Sequence, residues 1–113
     1  MKFVRALVIG SVLALVSVLS INQQANADIL AAIARCESGN RQFGQDGRVV
    51  HNRHSTAIGK FQFLRMHLKR ARAHGWDLYS EAGNTAYARY VLRTEGTAPW
   101  NASKHCWKRI ASR

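Results

Sequence analysis

Ala31-Ala32-Ile33-Ala34-Arg35-Cys36-Glu37-Ser38-Gly39-Asn40 is an apolar run with helical spacing that stops on small and polar residues. Ile29, Ile33 and Cys36 fall at i, i+4 and i+7, with Leu30 beside them, so one face of a helix is apolar. Asp28 is a suitable N-cap for that helix, and Ser38-Gly39-Asn40 ends it. Glu37 therefore sits at a helix end, one residue after a cysteine on the apolar face. A carboxyl half-buried there loses solvation, which favours its neutral form. A neutral acid at neutral pH is what protonation of a leaving glycosidic oxygen requires, although from position alone a helix-end Glu exposed to water is the favoured reading.

Upstream, Met1 to Arg5 is short and basic, and Ala6 to Ile21 is apolar apart from a Gly and three Ser. Asn22-Gln23-Gln24 and the triplet Ala25-Asn26-Ala27 follow. This is the pattern of a secretory leader cleaved after Ala27. An uncleaved anchor is the alternative, but the apolar run is short of the roughly 20 residues that span a bilayer. The expected division is 1–27 leader and 28–113 domain. Removing 27 of the 113 residues leaves 86, and loss of Lys2 and Arg5 takes the net charge from +11 to +9. With 47% apolar residues and one Pro, the chain is too apolar for a disordered tail and too short for two ordinary domains.

A domain of that size buries only about 60–65% of its unfolded surface and gains from a covalent staple. Cys36 and Cys106 are the only cysteines. In an exported chain, an even pair without a CxxC reads as a disulfide, joining the first helix to the last.

Downstream, residues 40–57 read as a polar loop with at most a short hairpin around Arg48-Val49-Val50. Phe61, Leu64, Leu68 and Ala71 predict a second helix over 59–74, stopped by Gly75. Its first turn, in Ser55-Thr56-Ala57-Ile58-Gly59-Lys60-Phe61-Gln62, would offer free N–H groups, with Gln62 one turn inside. Ser80 opens a third helix with Ala82, Ala86, Tyr87, Tyr90 and Val91 on its apolar side, ending at Gly96. Pro99-Trp100-Asn101 is a turn, and a short helix carries Cys106, Trp107 and Ile110. The expected fold class is mainly α, a small helical domain closed by one disulfide.

The pairing of Cys36-Glu37-Ser38-Gly39-Asn40 with Thr56-Ala57-Ile58-Gly59-Lys60-Phe61-Gln62-Phe63 resembles the lytic transglycosylase and lysozyme-like superfamily. There a Glu-Ser-Gly at a helix end precedes a G-A-x-G-x-x-Q segment by some twenty residues. Thr56 replaces the first Gly, and Lys60-Phe61 stands where Leu-Met is usual. The Cys-Glu-Ser-Gly and Gly-x-x-Gln-Phe runs, with Trp100 and Cys106-Trp107, are also similar to the resuscitation-promoting factor branch. The likeness spans roughly Ile29 to Trp107.

The resemblance implies a small lysozyme-like domain that cleaves peptidoglycan glycan strands between N-acetylmuramic acid and N-acetylglucosamine. Glu37 matches the acid/base, and Ser38 belongs to the same motif. Gln62 matches a substrate contact, and Gly59 a point of close approach between sugar and backbone. Tyr90 or Tyr87 is the expected buttress of the Glu. No cofactor is implied. Trp100, in its turn, is the best placed of the three Trp to stack on a sugar. Asp46 is the one acid in a loop suited to a second carboxylate, although an Asx-turn in a surface loop is the better reading of it. Glu81 and Glu95 have Lys or Arg nearby and read as solvated ion pairs. A lone Glu favours the transglycosylase over a hydrolytic muramidase, because an intramolecular nucleophile needs less help.

The five His form no set with zinc spacing, so no metal is expected. The positive charge draws the domain to polyanions, and for an exported chain that means an anionic wall or membrane surface. No helix-turn-helix or zinc-finger pattern accompanies the charge, so no nucleic-acid partner is expected. A non-catalytic cationic wall-binding protein is the reading from another class.

Overall fold

In the computed structural model the backbone is described from Lys2 to Arg113 and the side chains from Ser20 onward. The expected leader thus lies outside the described side chains up to residue 19. The helices are α1 (Lys2–Ser38), α2 (Leu68–Ala73), α3 (Glu81–Glu95) and α4 (Lys104–Ala111). Short 3-10 turns, Arg65–His67 and Ala98–Ser103, lead into α2 and α4. Among the described residues there are isolated β-bridges and no strands, so the chain is mainly helical, as expected. Among the described residues, no helix is long and apolar enough to cross a membrane.

Helix α1 does not begin at Asp28. It runs through Ala27 and Asp28, and the Asp28 carboxylate accepts a hydrogen bond from Gln24 Nε2 at 3.0 Å instead of capping. Its C-terminal end falls where Ser38-Gly39-Asn40 placed it. Gly39 and Asn40 take φ of 66° and 65°, and their N–H groups return to the carbonyls of Arg35 and Ala34. Leu30, Ile33 and Ala34 on the last turns of α1 are buried with Tyr87, Ala88 and Val91 of α3 and with Trp100 and Trp107.

The expected helix over 59–74 is half wrong. Ile58 and Phe63 exchange both backbone hydrogen bonds, at 2.8 and 3.2 Å, closing a tight loop over Gly59-Lys60-Phe61-Gln62. Gly59 and Gln62 are both left-handed, with φ of 74° and 52°. Leu64 is extended, and helix starts only at Arg65. Gly75 ends α2 with φ 82°, as its position promised.

Two buried amides from distant segments hold the 58–63 loop against helix formation. Gln42 Oε1 accepts from Lys60 N at 2.9 Å, and its Nε2 donates to Leu78 O at 3.0 Å. Asn84 Oδ1 accepts from Phe61 N at 3.0 Å, and its Nδ2 donates to Ile58 O and Leu78 O at 3.1 and 2.9 Å. A Cβ at Gly59 would stand 2.5 Å from Asn84 Nδ2 and 2.7 Å from the Gln42 amide, so only glycine fits.

Ser80 caps α3 by accepting from Gly83 N at 3.0 Å, and Gly96 ends it, as expected. The buried face is rotated from the expected one: Gly83, Asn84, Tyr87, Ala88 and Val91 face inward, and Ala82 is exposed. Cys36 and Cys106 form the expected disulfide, which joins α1 to α4 across 70 positions.

Candidate functional site

Glu37 occupies the last turn of α1, half-buried, beside the disulfide. Burial raises its carboxyl above the ordinary value of 4.5, opposed by a hydrogen bond from Ser103. Ser103 Oγ lies 2.6 Å from Glu37 Oε1 and 3.3 Å from Trp100 O. A hydroxyl has one proton and two lone pairs. When Glu37 is ionised, Ser103 donates to it. When Glu37 is neutral, the carboxyl donates to Ser103, whose own proton turns to Trp100 O. One hydroxyl therefore satisfies the carboxyl in both protonation states, which suits a group that gives up a proton and takes one back.

The carboxyl is surrounded by covalently linked and hydrogen-bonded groups. Ser103 is three residues before Cys106, and Glu37 is one residue after Cys36, so the disulfide holds donor and acceptor in register. Trp107 Nε1 donates to Trp100 O, and Trp100 Nε1 to Phe61 O, both at 3.0 Å. Ser38 Oγ donates to Lys60 O at 2.7 Å and accepts from Arg41 N at 3.0 Å, joining the end of α1 to the 58–63 loop.

No family model, curated protein or solved structure matches the chain.

Several side chains expected at a sugar-binding cleft do other things. Ser38 is committed to backbone on two sides. Gly59 admits the interior amides of Asn84 and Gln42 rather than a ligand, and it opens no helix. Gln62 is not a turn inside a helix; its Nε2 donates to Gly59 O and Val50 O at 2.8 and 3.2 Å and holds the loop shut. Trp100 is 2% exposed, so its faces are core surface and not a platform for a sugar ring.

Neither tyrosine buttresses Glu37. Tyr87 is fully buried, with its hydroxyl 2.7 Å from His67 Nδ1 and 2.9 Å from Arg70 Nε. Tyr90 packs on His74 and Trp76, with the Arg70 guanidinium 5.9 Å from its ring centre. Asp46 is exposed, and its Oδ1 accepts from Arg48 N at 3.0 Å, the Asx-turn of a surface loop. Glu81 and Glu95 pair with Lys60 and Arg70, as read from the sequence. Among the described residues no three His, Cys, Asp or Glu side chains gather as a metal-ligand set.

Ser103 is the site residue that the sequence did not reveal. Only its closeness to Cys106 hinted at it, and that hint needs the disulfide to be read as a clamp on the chemistry as well as on the fold.

Proposed function

We propose that the chain is an exported, peptidoglycan-cleaving lytic transglycosylase with Glu37 as its single acid/base. The observation that carries this reading is a half-buried carboxyl at a helix end with a hydroxyl 2.6 Å away that serves both of its protonation states. The Cys-Glu-Ser-Gly and Gly-x-x-Gln-Phe runs supply the substrate class by resemblance. The disulfide suits an oxidising compartment, which supports export.

In this reading Glu37 gives its proton to the oxygen leaving C1 of N-acetylmuramic acid, and the C1–O bond breaks. Glu37 then takes the proton of the same sugar's 6-hydroxyl as that oxygen bonds to C1, which closes a 1,6-anhydro ring. No second carboxylate and no water is consumed. Ser103 acts by holding the Glu37 carboxyl, not by touching the sugar.

The test is digestion of purified peptidoglycan by the oxidised chain, read by mass spectrometry beside Glu37→Gln. The expected products end in anhydro sugars and vanish in the variant. Products heavier by one water would make the enzyme a hydrolytic muramidase. No release by the parent chain would leave a cationic wall-binding protein as the better reading.

A further inference from the structure

A cavity of about 690 Å³ lies away from Glu37, Ser103 and the disulfide. Arg65, Lys69, Arg72, His51, Tyr79 and Ile58 are among the residues that line it, and no Asp or Glu is. Arg65, Lys69 and Arg72 repeat at i, i+4 and i+7 along the 3-10 turn and α2, which gathers three cations on one wall. All three are exposed, and the ion pairs found among the described residues, Lys60–Glu81 and Arg70–Glu95, use none of them. Three like charges around one cavity repel each other, which disfavours the arrangement unless an anion enters.

The cavity is braced as well as charged. Thr56 Oγ1 accepts from Arg65 N at 3.0 Å, which anchors the basic wall to the loop opposite. His51 Nδ1 lies 3.0 Å from Ala57 O. A carbonyl can only accept, so Nδ1 donates in this contact and fixes the ring against the loop. Ile58 and Leu68 supply apolar lining, Tyr79 an aromatic ring, and Met66 at the rim is 78% exposed.

We infer that this cavity binds a phosphate-bearing ligand whose neighbouring part is apolar or ring-shaped. Phosphate fits better than a single carboxylate. It presents several oxygens to two guanidinium forks and an ammonium, and a chain or cluster of phosphates matches three cations. The ligand is either a soluble phosphate polymer or the headgroup of an anionic lipid, and both offer the same oxygens. The site is independent of the Glu37 chemistry and stands whether or not the chain cleaves peptidoglycan.

The experiment uses the full oxidised chain and two triple variants with the same loss of charge. One is Arg65→Gln/Lys69→Gln/Arg72→Gln in the cavity, and the other is Lys108→Gln/Arg109→Gln/Arg113→Gln, around the end of α4. The probes are inorganic tripolyphosphate by calorimetry, and vesicles of phosphatidylcholine with or without phosphatidylglycerol by sedimentation. Residues 6–21 are present in all three proteins, so their contribution to vesicle binding cancels.

The expected result is a loss of about tenfold or more in affinity in the cavity variant alone. A selective loss with tripolyphosphate names a soluble polymer as the ligand. A loss confined to vesicles containing phosphatidylglycerol names the lipid headgroup. Equal losses in both variants would show bulk charge attraction and overturn the site, as would no binding of either probe by the parent. If the cavity variant does not fold, Lys69→Gln against Lys108→Gln decides by the same criterion.

Discussion

Glu37 and Ser103 show how one side chain can be held ready for opposite tasks. The carboxyl is raised by burial, and the Ser103 hydroxyl partly offsets the rise by donating to the charged form. Ser103→Ala removes that donor and leaves burial unopposed, so the carboxyl rises further. The alkaline limb of the proposed cleavage activity, where the acid loses its proton, is then expected to move to higher pH. A pH–rate profile on soluble glycan fragments checks this, and an unmoved limb would detach Ser103 from the chemistry. The same carboxyl makes a prediction about stability. A native value raised above 4.5 means that the native state holds its proton more tightly than the unfolded chain. Its contribution to stability is fully present below 4.5 and declines as pH rises through the native value. Glu37→Gln, neutral at every pH and still able to accept from Ser103, should therefore melt higher than the parent at pH 8 and closer to it at pH 4. Thermal unfolding at the two pH values is the measurement, and equal shifts would mean that charge plays no part.

Between elements, the decisive contacts are polar groups sealed between segments. Gly59→Ala forces a side chain into left-handed backbone and onto the Asn84 and Gln42 amides. The two penalties together come to about 3 kcal/mol, read as a lowered urea midpoint with an unchanged slope. The α2–α3 contact has its own test. His67 is part-buried with its Nδ1 2.7 Å from the Tyr87 hydroxyl, which also accepts from Arg70 Nε at 2.9 Å, so the imidazole sits close to the Arg70 guanidinium. Burial and the Arg70 charge accordingly hold the His67 value below its ordinary 6.5. In that window the unfolded chain binds the proton that the native state resists. This contribution is present above 6.5 and is lost as pH falls through the lowered native value. Tyr87→Phe should cost about 2 kcal/mol by leaving His67 and Arg70 without their shared partner, but should leave this pH dependence in place, because burial and the Arg70 charge that cause it remain. Denaturant titrations of parent and variant across pH 5–8 compare the two slopes. These contacts also explain what could be read in the sequence. Ser80 and Gly96 mark the ends of α3 by local chemistry, and the Ser-Gly-Asn stop of α1 is local too. The segment 59–64 was misread because Phe61, Leu64, Leu68 and Ala71 mimic a helical stripe, while the groups that override it, Gln42 and Asn84, are 18 and 23 positions from the atoms they bind. Asn84 did carry a signal, since it shares a stripe with Tyr87, Ala88 and Val91 and is the polar member of an otherwise apolar face.

On the scale of the whole molecule, one covalent bond links the stability of the fold to the geometry of the candidate acid. The helix-end position of Glu37 is legible because the stop signal after it is local, and the disulfide because two cysteines admit one pairing. Ser103 is not, because it meets Glu37 across 66 positions, a distance that only the folded chain closes. The Cys36–Cys106 bond spans 70 positions, and restricting the unfolded chain over such a loop stabilises a domain by about 4 kcal/mol in the chain-entropy account. For a domain this small, that is a large fraction of a total on the order of 5–15 kcal/mol. The double variant Cys36→Ser/Cys106→Ser should therefore melt far below the oxidised parent. Near its midpoint, loss of activity would report only unfolding, so the informative comparison lies at low temperature, where circular dichroism shows both proteins folded. The α1–α4 packing there still brings Ser103 near Glu37, but without the bond at Cys36 and Cys106 the 2.6 Å contact is held by packing alone. The proposed turnover on peptidoglycan is then expected to fall more than the folded fraction does, with the alkaline limb shifted in the direction of Ser103→Ala. Turnover that simply tracks the folded fraction would make the disulfide a staple for the fold and nothing more.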